Sequence, residues 1–248
     1  MTLRRLAPAV LGLALASPAF AFDPAAMNDS ERAAFGDAVR AYLMENPEVL
    51  VEAIGVLEER QAAAEADNDQ VLVETNADAI FHSATDWVGG NPDGDLTLVE
   101  FTDYRCGYCR KAYDEVSQLV ESDGNIRFVV KEFPILGQQS ELSARFAVAV
   151  LQLAGPDAYE KAHDALISFR GDITLESLKR LATDQGLDAD ALLKRMNEEA
   201  VTAVLRENHR LAERMRISGT PTFVLGGRLV RGYVPLEGMR AMVAEERG

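Results

Sequence analysis

The chain has 248 residues, of which 48% are hydrophobic and 26% charged, and its formal net charge at pH 7 is −15. This acidic balance argues against nucleic acid as a partner, because phosphate backbones are bound through clustered lysine and arginine. A chain of this length can bury a full hydrophobic core, so its two cysteines are better explained by reactivity than by a need for stabilising disulfides.

The first 21 residues predict an export signal. They contain a basic pair at 4–5, an apolar stretch at 6–15 and an A-x-A cleavage motif at 19–21. The apolar stretch is too short to predict a retained membrane span. We therefore expect cleavage after Ala21 and a mature protein in the periplasm, where disulfides persist.

Residues 22–70 predict a helical segment that precedes the rest of the fold. Asn28 and Glu31 can form a capping box at the start of a first helix. Asn46-Pro47 predicts the end of that helix and the start of a second, with Asn46 as its N-cap. A polar, alanine-rich stretch at 59–70 has strong helix propensity and predicts a linker helix.

The two helices carry more apolar surface than one contact would hide. These residues lie on a narrow stripe of the first helix and on more than one side of the second: Phe35, Val39, Tyr42, Leu43, Val49, Leu50, Ile54, Val56 and Leu57. We interpret the segment as an oligomerisation stalk. The alternative is that it packs on the catalytic domain.

From residue 71 onward the pattern becomes α/β. An apolar stripe with helical spacing runs from Val73 to Trp87 and leads to a loop at 89–94. The sequence then predicts strands at 96–102 and 126–132 on either side of a helix at 107–122. A helical region follows at 139–216, with breaks at Gly155-Pro156, Gly171 and Gly186. The last predicted elements are a hairpin of 222–225 and 228–232 about Gly226-Gly227 and a closing helix at 236–246. This order predicts a thioredoxin fold in residues 71–248 with an inserted helical domain at about 138–216.

Cys106 and Cys109 form a C-x-x-C motif between a predicted strand and a predicted helix. Cys109 shares the helix stripe of Tyr113, Val116 and Val120, so we expect it to face the core. Cys106 is expected at the helix N-terminus, where free N–H groups and the helix dipole stabilise a thiolate. We therefore predict an exposed Cys106 with a lowered pKa, a buried Cys109, and disulfide exchange as the chemistry.

The two cysteines could also serve a purpose other than disulfide exchange. A closed zinc site needs four Cys or His ligands, but the sequence has no second C-x-x-C, and its three histidines, His82, His163 and His209, are scattered. A structural disulfide would close too short a loop to stabilise the fold much. A reduced C-x-x-C can hold Cu(I), so copper binding or buffering stays open. We predict that no metal or organic cofactor is required.

Residues 24–245 resemble the DsbA-type thiol–disulfide oxidoreductases of the thioredoxin superfamily, and within them the suppressor-of-copper-sensitivity C type. The resemblance rests on the helical N-terminus and on these motifs: Glu45-Asn46-Pro47-Glu48, Phe101-Thr102-Asp103-Tyr104 before Cys106-Gly107-Tyr108-Cys109, Lys131-Glu132-Phe133-Pro134 and Gly219-Thr220-Pro221-Thr222-Phe223. The resemblance implies that Cys106 attacks and Cys109 resolves. It also implies that Pro221 is a cis-proline whose loop, with Thr220 and beside Gly107-Tyr108, binds a polypeptide.

Two charged residues are assigned by the same resemblance. Glu100 and Lys131 resemble a buried pair on the central strands near the second cysteine. There, a carboxylate with a raised pKa could move the cysteine proton. The alternative is a purely structural ion pair.

The Gly107-Tyr108 dipeptide departs from the Pro-His of strongly oxidising relatives. A histidine there stabilises the thiolate, so its absence predicts a less acidic Cys106. The resemblance therefore implies a periplasmic disulfide isomerase or reductase that acts on misoxidised exported proteins and is reset by a membrane redox partner. It also implies a homo-oligomer, with a trimer favoured. A dithiol oxidase that introduces disulfides is the alternative within the enzyme class.

Overall fold

The computed structural model describes residues 27–248, so the predicted export signal lies outside the described residues. The chain divides into two compact units, one that ends at Glu59 and one that comprises Arg60–Gly248. Within residues 27–248, no helix is long and apolar enough to cross a membrane.

The first helix, α1 (Asp29–Glu45), begins at the predicted capping box. The backbone N–H of Glu31 donates to Asn28 Oδ1, and that of Asn28 to Glu31 Oε2, each at 3.0 Å. The predicted break at Asn46 is also confirmed, but its role as an N-cap is wrong. The Asn46 side-chain amide donates to the Tyr42 carbonyl at 2.9 Å and so caps the end of α1.

The second helix, α2 (Glu48–Thr75), is uninterrupted, so the predicted second helix and linker helix are one element. None of the residues of α1, all of which are described, is buried, and residues 50–68 of α2 are exposed. Ile54 and Leu57 each expose 55% of their surface. The apolar residues that predicted a stalk therefore lie on the surface of the chain.

The unit Arg60–Gly248 is built around a five-stranded mixed sheet with the strand order β1-β3-β2-β4-β5. Its strands are β1 (Trp87–Gly90), β2 (Leu96–Thr102), β3 (Ile126–Glu132), β4 (Thr222–Leu225) and β5 (Arg228–Arg231). Only β2 and β3 pair in parallel, because helix α4 (Gly107–Asp123) connects them as a crossover. Both strands are largely buried, as expected for strands covered on both faces.

The edge strand β1 was not predicted. The sequence placed Trp87 on a helical stripe, but the short helix α3 (Ala77–Phe81) ends well before it, and 87–90 pairs antiparallel with β3. Two of its four residues are glycines, so the strand has no side-chain alternation to detect. Trp87 is held by a hydrogen bond from its Nε1 to the Pro156 carbonyl at 3.1 Å.

The remaining elements confirm the predicted thioredoxin fold with a helical insertion. Gly155, Gly171 and Gly186 interrupt the insertion at the predicted places, each with a positive φ that glycine adopts readily. The hairpin of β4 and β5 turns at Gly226-Gly227. The helices are α5 (Gln138–Ala154), α6 (Pro156–Ser168), α7 (Leu175–Asp184), α8 (Ala189–Arg195) and α9 (Glu199–Arg214) in the insertion, and the closing α10 (Leu236–Arg247).

Candidate active site

The two cysteines occupy the first turn of α4, where Cys106 is the N-cap residue. Cys109 is fully buried, as predicted from the helix stripe, but Cys106 is only 7% exposed and is thus less accessible than predicted. The reason is the neighbouring loop, whose Thr220 carbonyl lies 3.1 Å from the Cys106 sulfur. The two thiols are free.

The environment of the two thiols separates their pKa values. A hydrogen bond from the Cys109 thiol, one from the Thr220 side chain and those from the backbone N–H groups of the first turn lower the pKa of Cys106 to about 5. The pKa of Cys109 is raised, first because its proton is held by Cys106, then by burial and by the nearby Glu100. The predicted acidity of Cys106 is confirmed. Of the two thiols, Cys106 is therefore the one that loses its proton more readily.

The loop that faces Cys106 contains the cis peptide bond Thr220–Pro221, as the resemblance predicted. Its shape is fixed at both ends. The Thr222 hydroxyl donates to the Gly219 carbonyl at 2.8 Å, and the Gly232 N–H donates to the Pro221 carbonyl at 2.9 Å. A chain joined to the Cys106 sulfur must therefore pass this loop.

Tyr108 lies between the cysteines and is 63% exposed. Its ring stacks on Tyr233 with 6.3 Å between centroids, and Lys111 Nζ lies 4.1 Å from the centroid of the Tyr233 ring. Tyr233 is fixed in turn by a hydrogen bond from its hydroxyl to Glu115 at 2.7 Å. The sequence did not single out Tyr233, since only the folded hairpin brings it beside the C-x-x-C turn.

Glu100 is buried beside Cys109. Burial raises its pKa to about 7, although a hydrogen bond from the Thr102 side chain opposes the shift. The predicted partnership with Lys131 is wrong. In the β2–β3 register Lys131 lies opposite Phe101, one residue after Glu100, so the two side chains point to opposite faces of the sheet.

Lys131 belongs to a structural ion pair on that other face. Its Nζ contacts Asp86, and the two side chains are 1% and 2% exposed. It also donates to the Ala79 carbonyl at 2.8 Å. Asp86 comes directly before β1, so this partner could be found only once the edge strand was known.

A second buried polar cluster, which the sequence did not predict, lies behind the active-site turn. Tyr104 and Tyr159 both donate to Glu132 Oε1, at 2.7 and 2.6 Å. The Tyr104 hydroxyl is also 2.9 Å from His163 Nδ1. Burial raises the pKa of Glu132 to about 8 and lowers that of His163 to about 4.

Asp103 holds the turn itself and was also not singled out. Its Oδ1 accepts from the Arg105 N–H at 2.8 Å. Its Oδ2 accepts from the N–H groups of Ile135 and Leu136 at 2.8 and 3.1 Å. The side chain thus ties the loop after β3 to the residues that lead into Cys106. The quoted Phe101–Tyr104 motif was the available signal for it.

Comparison with known families agrees with this geometry. Residues 97–244 match the DSBA-like thioredoxin domain, and residues 31–64 match the copper resistance protein ScsC N-terminal domain. The chain belongs to the DsbA-like thioredoxin family. The predicted kinship with thiol–disulfide oxidoreductases of the ScsC type is confirmed.

Two solved structures show how far the likeness extends. A thioredoxin-like oxidoreductase from Silicibacter pomeroyi DSS-3 is 39% identical, with a TM-score of 0.64, and the match covers 68% of this chain and 96% of that one. BcfH from Salmonella enterica Typhimurium is 27% identical, with a TM-score of 0.72, and the match covers 88% and 97%.

A curated relative, the Na(+)/H(+) antiporter NhaA 1 of Salinispora arenicola, is 29% identical over 159 residues, which are 64% of this chain and 24% of the antiporter. The chain thus spans about a quarter of the length of the antiporters it matches. The likeness concerns one segment of those proteins.

Proposed function

We propose that the protein is a periplasmic thiol–disulfide isomerase or reductase that acts on exported proteins with incorrect disulfides. The observation that carries the thiol–disulfide exchange chemistry is the asymmetry of the dithiol, in which Cys106 favours the thiolate and Cys109 keeps its proton. The Cys106 thiolate attacks a client disulfide, forms a mixed disulfide and releases a client thiolate. If the client does not rearrange, Cys109 attacks the Cys106 sulfur and releases the reduced client.

Client binding falls to the loop and the dipeptide beside Cys106. The Thr220–Pro221 segment borders the sulfur, so its backbone groups are placed to pair with an extended polypeptide. The surface at Gly107, next to Cys106 in the chain, is open, since an added Cβ there would meet no described atom within 4 Å. The exposed ring of Tyr108 supplies an apolar contact beside it. We assign these four residues to client binding.

We assign to Glu100 the role of accepting the proton of the Cys109 thiol. Cys109 must be deprotonated before it can attack, and its pKa is raised partly by this carboxylate. With its own pKa raised to about 7, Glu100 can take up and give back a proton near neutral pH. Lys131 is given no catalytic role because it faces the other side of the sheet.

The N-terminal helices are assigned to assembly. Their exposed apolar residues and the match of residues 31–64 to the ScsC N-terminal domain support a homo-oligomer, which family resemblance favours as a trimer. Several Cys106 thiolates around one client raise the effective concentration for repeated attack. Isomerisation needs a reduced dithiol, so a membrane redox partner that returns electrons completes the scheme.

The decisive experiment is recovery of activity from scrambled ribonuclease by the reduced, full-length mature protein. Wild type should restore activity and Cys106→Ser should not. Cys109→Ser should retain part of the isomerisation but accumulate mixed disulfides, because its resolving thiol is missing. Failure of wild type to restore activity, with intact Cys106 reactivity, would exclude the isomerase proposal.

A dithiol oxidase is the second candidate, and the pKa of Cys106 favours it. A thiolate stabilised to a pKa of about 5 stabilises the reduced form and so makes the disulfide more oxidising. The oxidised protein incubated with reduced ribonuclease provides the matching test, and faster oxidation than isomerisation would favour this candidate.

A further inference from the structure

In the proposed function, resolution by Cys109 releases a proton at a buried site. Cys109 is fully buried, and Glu100 is 5% exposed. In the proposed function, Glu100 takes this proton. It must pass the proton on before the next cycle, so a route from Glu100 to solvent is needed.

Polar groups continue from Glu100 along one face of the sheet. Thr102 lies two residues further on the same strand, hence on the same face, and its side chain is hydrogen-bonded to Glu100. On the neighbouring strand, Glu132 is the register partner of Thr102. Glu132 Oε2 has no hydrogen-bond partner within residues 27–248. This oxygen can accept a proton while the proton that Glu132 already holds leaves through Oε1, which contacts Tyr104.

The path continues through Tyr104 to His163. The Tyr104 hydroxyl lies between Glu132 Oε1 at 2.7 Å and His163 Nδ1 at 2.9 Å. His163 lines a cleft of about 710 Å³ between α4 and α6, together with Tyr113, Glu160 and Asp164. This histidine therefore stands between the buried cluster and an opening at the surface.

We propose that Glu132, Tyr104 and His163 form a proton path that connects Glu100 with the cleft beside α6. The proposal rests on the proposed function, in which Cys109 resolves the mixed disulfide. In that step the Cys109 proton passes to Glu100, the Cys109 thiolate bonds to the Cys106 sulfur, and the client thiolate leaves. The client disulfide is reduced by two electrons and the dithiol is oxidised. The proton leaves Glu100 through Glu132, Tyr104 and His163.

The groups around Glu132 are compatible with this role. Tyr104 faces it from the active-site turn, Tyr159 from α6, and Asn208 of α9 donates to its carbonyl at 3.1 Å. The carboxylates of Glu100 and Asp103 also act on it, and with burial they raise its pKa to about 8. The Lys131–Asp86 pair neutralises itself on the opposite face. Glu132 can thus hold a proton at neutral pH.

Tyr159 provides a matched control, because it donates to the same Glu132 oxygen yet has no hydrogen bond to His163 within the described chain. Tyr104→Phe interrupts the path, whereas Tyr159→Phe removes an equivalent buried hydroxyl from a side branch.

In the assay, the mixed disulfide of Cys106 with 5-thio-2-nitrobenzoate is formed first. Stopped-flow absorbance then follows release of this thiolate as Cys109 attacks, between pH 5.5 and 8.

Below pH 7 Glu100 is mostly protonated, because its pKa is raised to about 7, so it must lose a proton along the path before it can accept that of Cys109. Tyr104→Phe should therefore slow the release at least about tenfold in this range, since a positioned proton-transfer group contributes at least that much. Tyr159→Phe should stay within about twofold of wild type. In His163→Ala, added imidazole should restore the rate through the vacated cleft. Equal slowing in both Phe variants, or no rescue by imidazole, would overturn the path. Absence of release in wild type itself would instead overturn the role of Cys109.

Discussion

The two units of the chain use apolar residues in opposite ways. In the unit Arg60–Gly248 they fill the core on both faces of the sheet, and its buried polar groups are hydrogen-bonded or ion-paired with few exceptions. In α1 and the first part of α2 the apolar residues lie on the surface, although both segments form regular helices like those of the other unit. Forming a helix therefore does not by itself bury the apolar side chains that the helix carries. The surface that remains is what a second copy of the chain would cover.

The largest effect is expected from a truncation that removes the first unit. A chain that starts at Arg60 keeps Asp69, which is ion-paired with Arg231 of β5, whereas a start at Val71 would lose it. The Arg60 form should be a folded monomer that reduces small disulfides normally. Its isomerisation of scrambled ribonuclease should fall roughly 10²-fold, because linked sites raise effective concentration by such factors. Light scattering and the two activity assays measure this.

Point variants in the full chain serve as the control. Ile54→Glu with Leu57→Glu places charges on the exposed apolar surface and should also give monomers, whereas Glu58→Gln, on the same helix, should not. A monomeric wild type, or an undiminished isomerase rate in the monomeric variants, would refute the assembly role.

The next effect contrasts a buried and an exposed substitution. Lys131→Met leaves Asp86 charged and buried, and breaking such a pair costs about 3–5 kcal/mol of unfolding free energy. Leu57→Gln in the exposed part of α2 should stay within about 0.5 kcal/mol. Chemical denaturation of both variants measures the difference. The double variant Lys131→Met with Asp86→Leu should recover much of the loss, and a double variant as unstable as the single one would contradict this account.

The same contrast explains how far the sequence could predict the structure. The bounds of β2 and β3 were predicted as the structure has them, because short segments rich in β-branched and aromatic residues and preceded by turn residues are strong strand signals. The helix-stripe position of Cys109 was correct for a similar reason. Edge strand β1 has no such pattern, and the partner of Lys131 was missed with it. The contact of Tyr104 with His163 joins residues 59 positions apart, so only the packed insertion reveals it.

The last expected effect concerns the pH dependence of stability in the unit Arg60–Gly248. The pKa of Glu132 is raised to about 8, so the folded state keeps a proton that the unfolded state loses above about pH 4.5. Its contribution to the free energy of unfolding therefore falls as pH rises between about 5 and 8, by about 1.4 kcal/mol per pH unit. The lowered pKa of Cys106 acts with the opposite sign, so the wild-type curve alone cannot isolate Glu132. The difference between wild type and Glu132→Gln can, and the variant should gain stability relative to wild type as pH rises. Urea titrations from pH 5 to 8 measure it, and a difference that is constant with pH would show that Glu132 stays ionised in the fold.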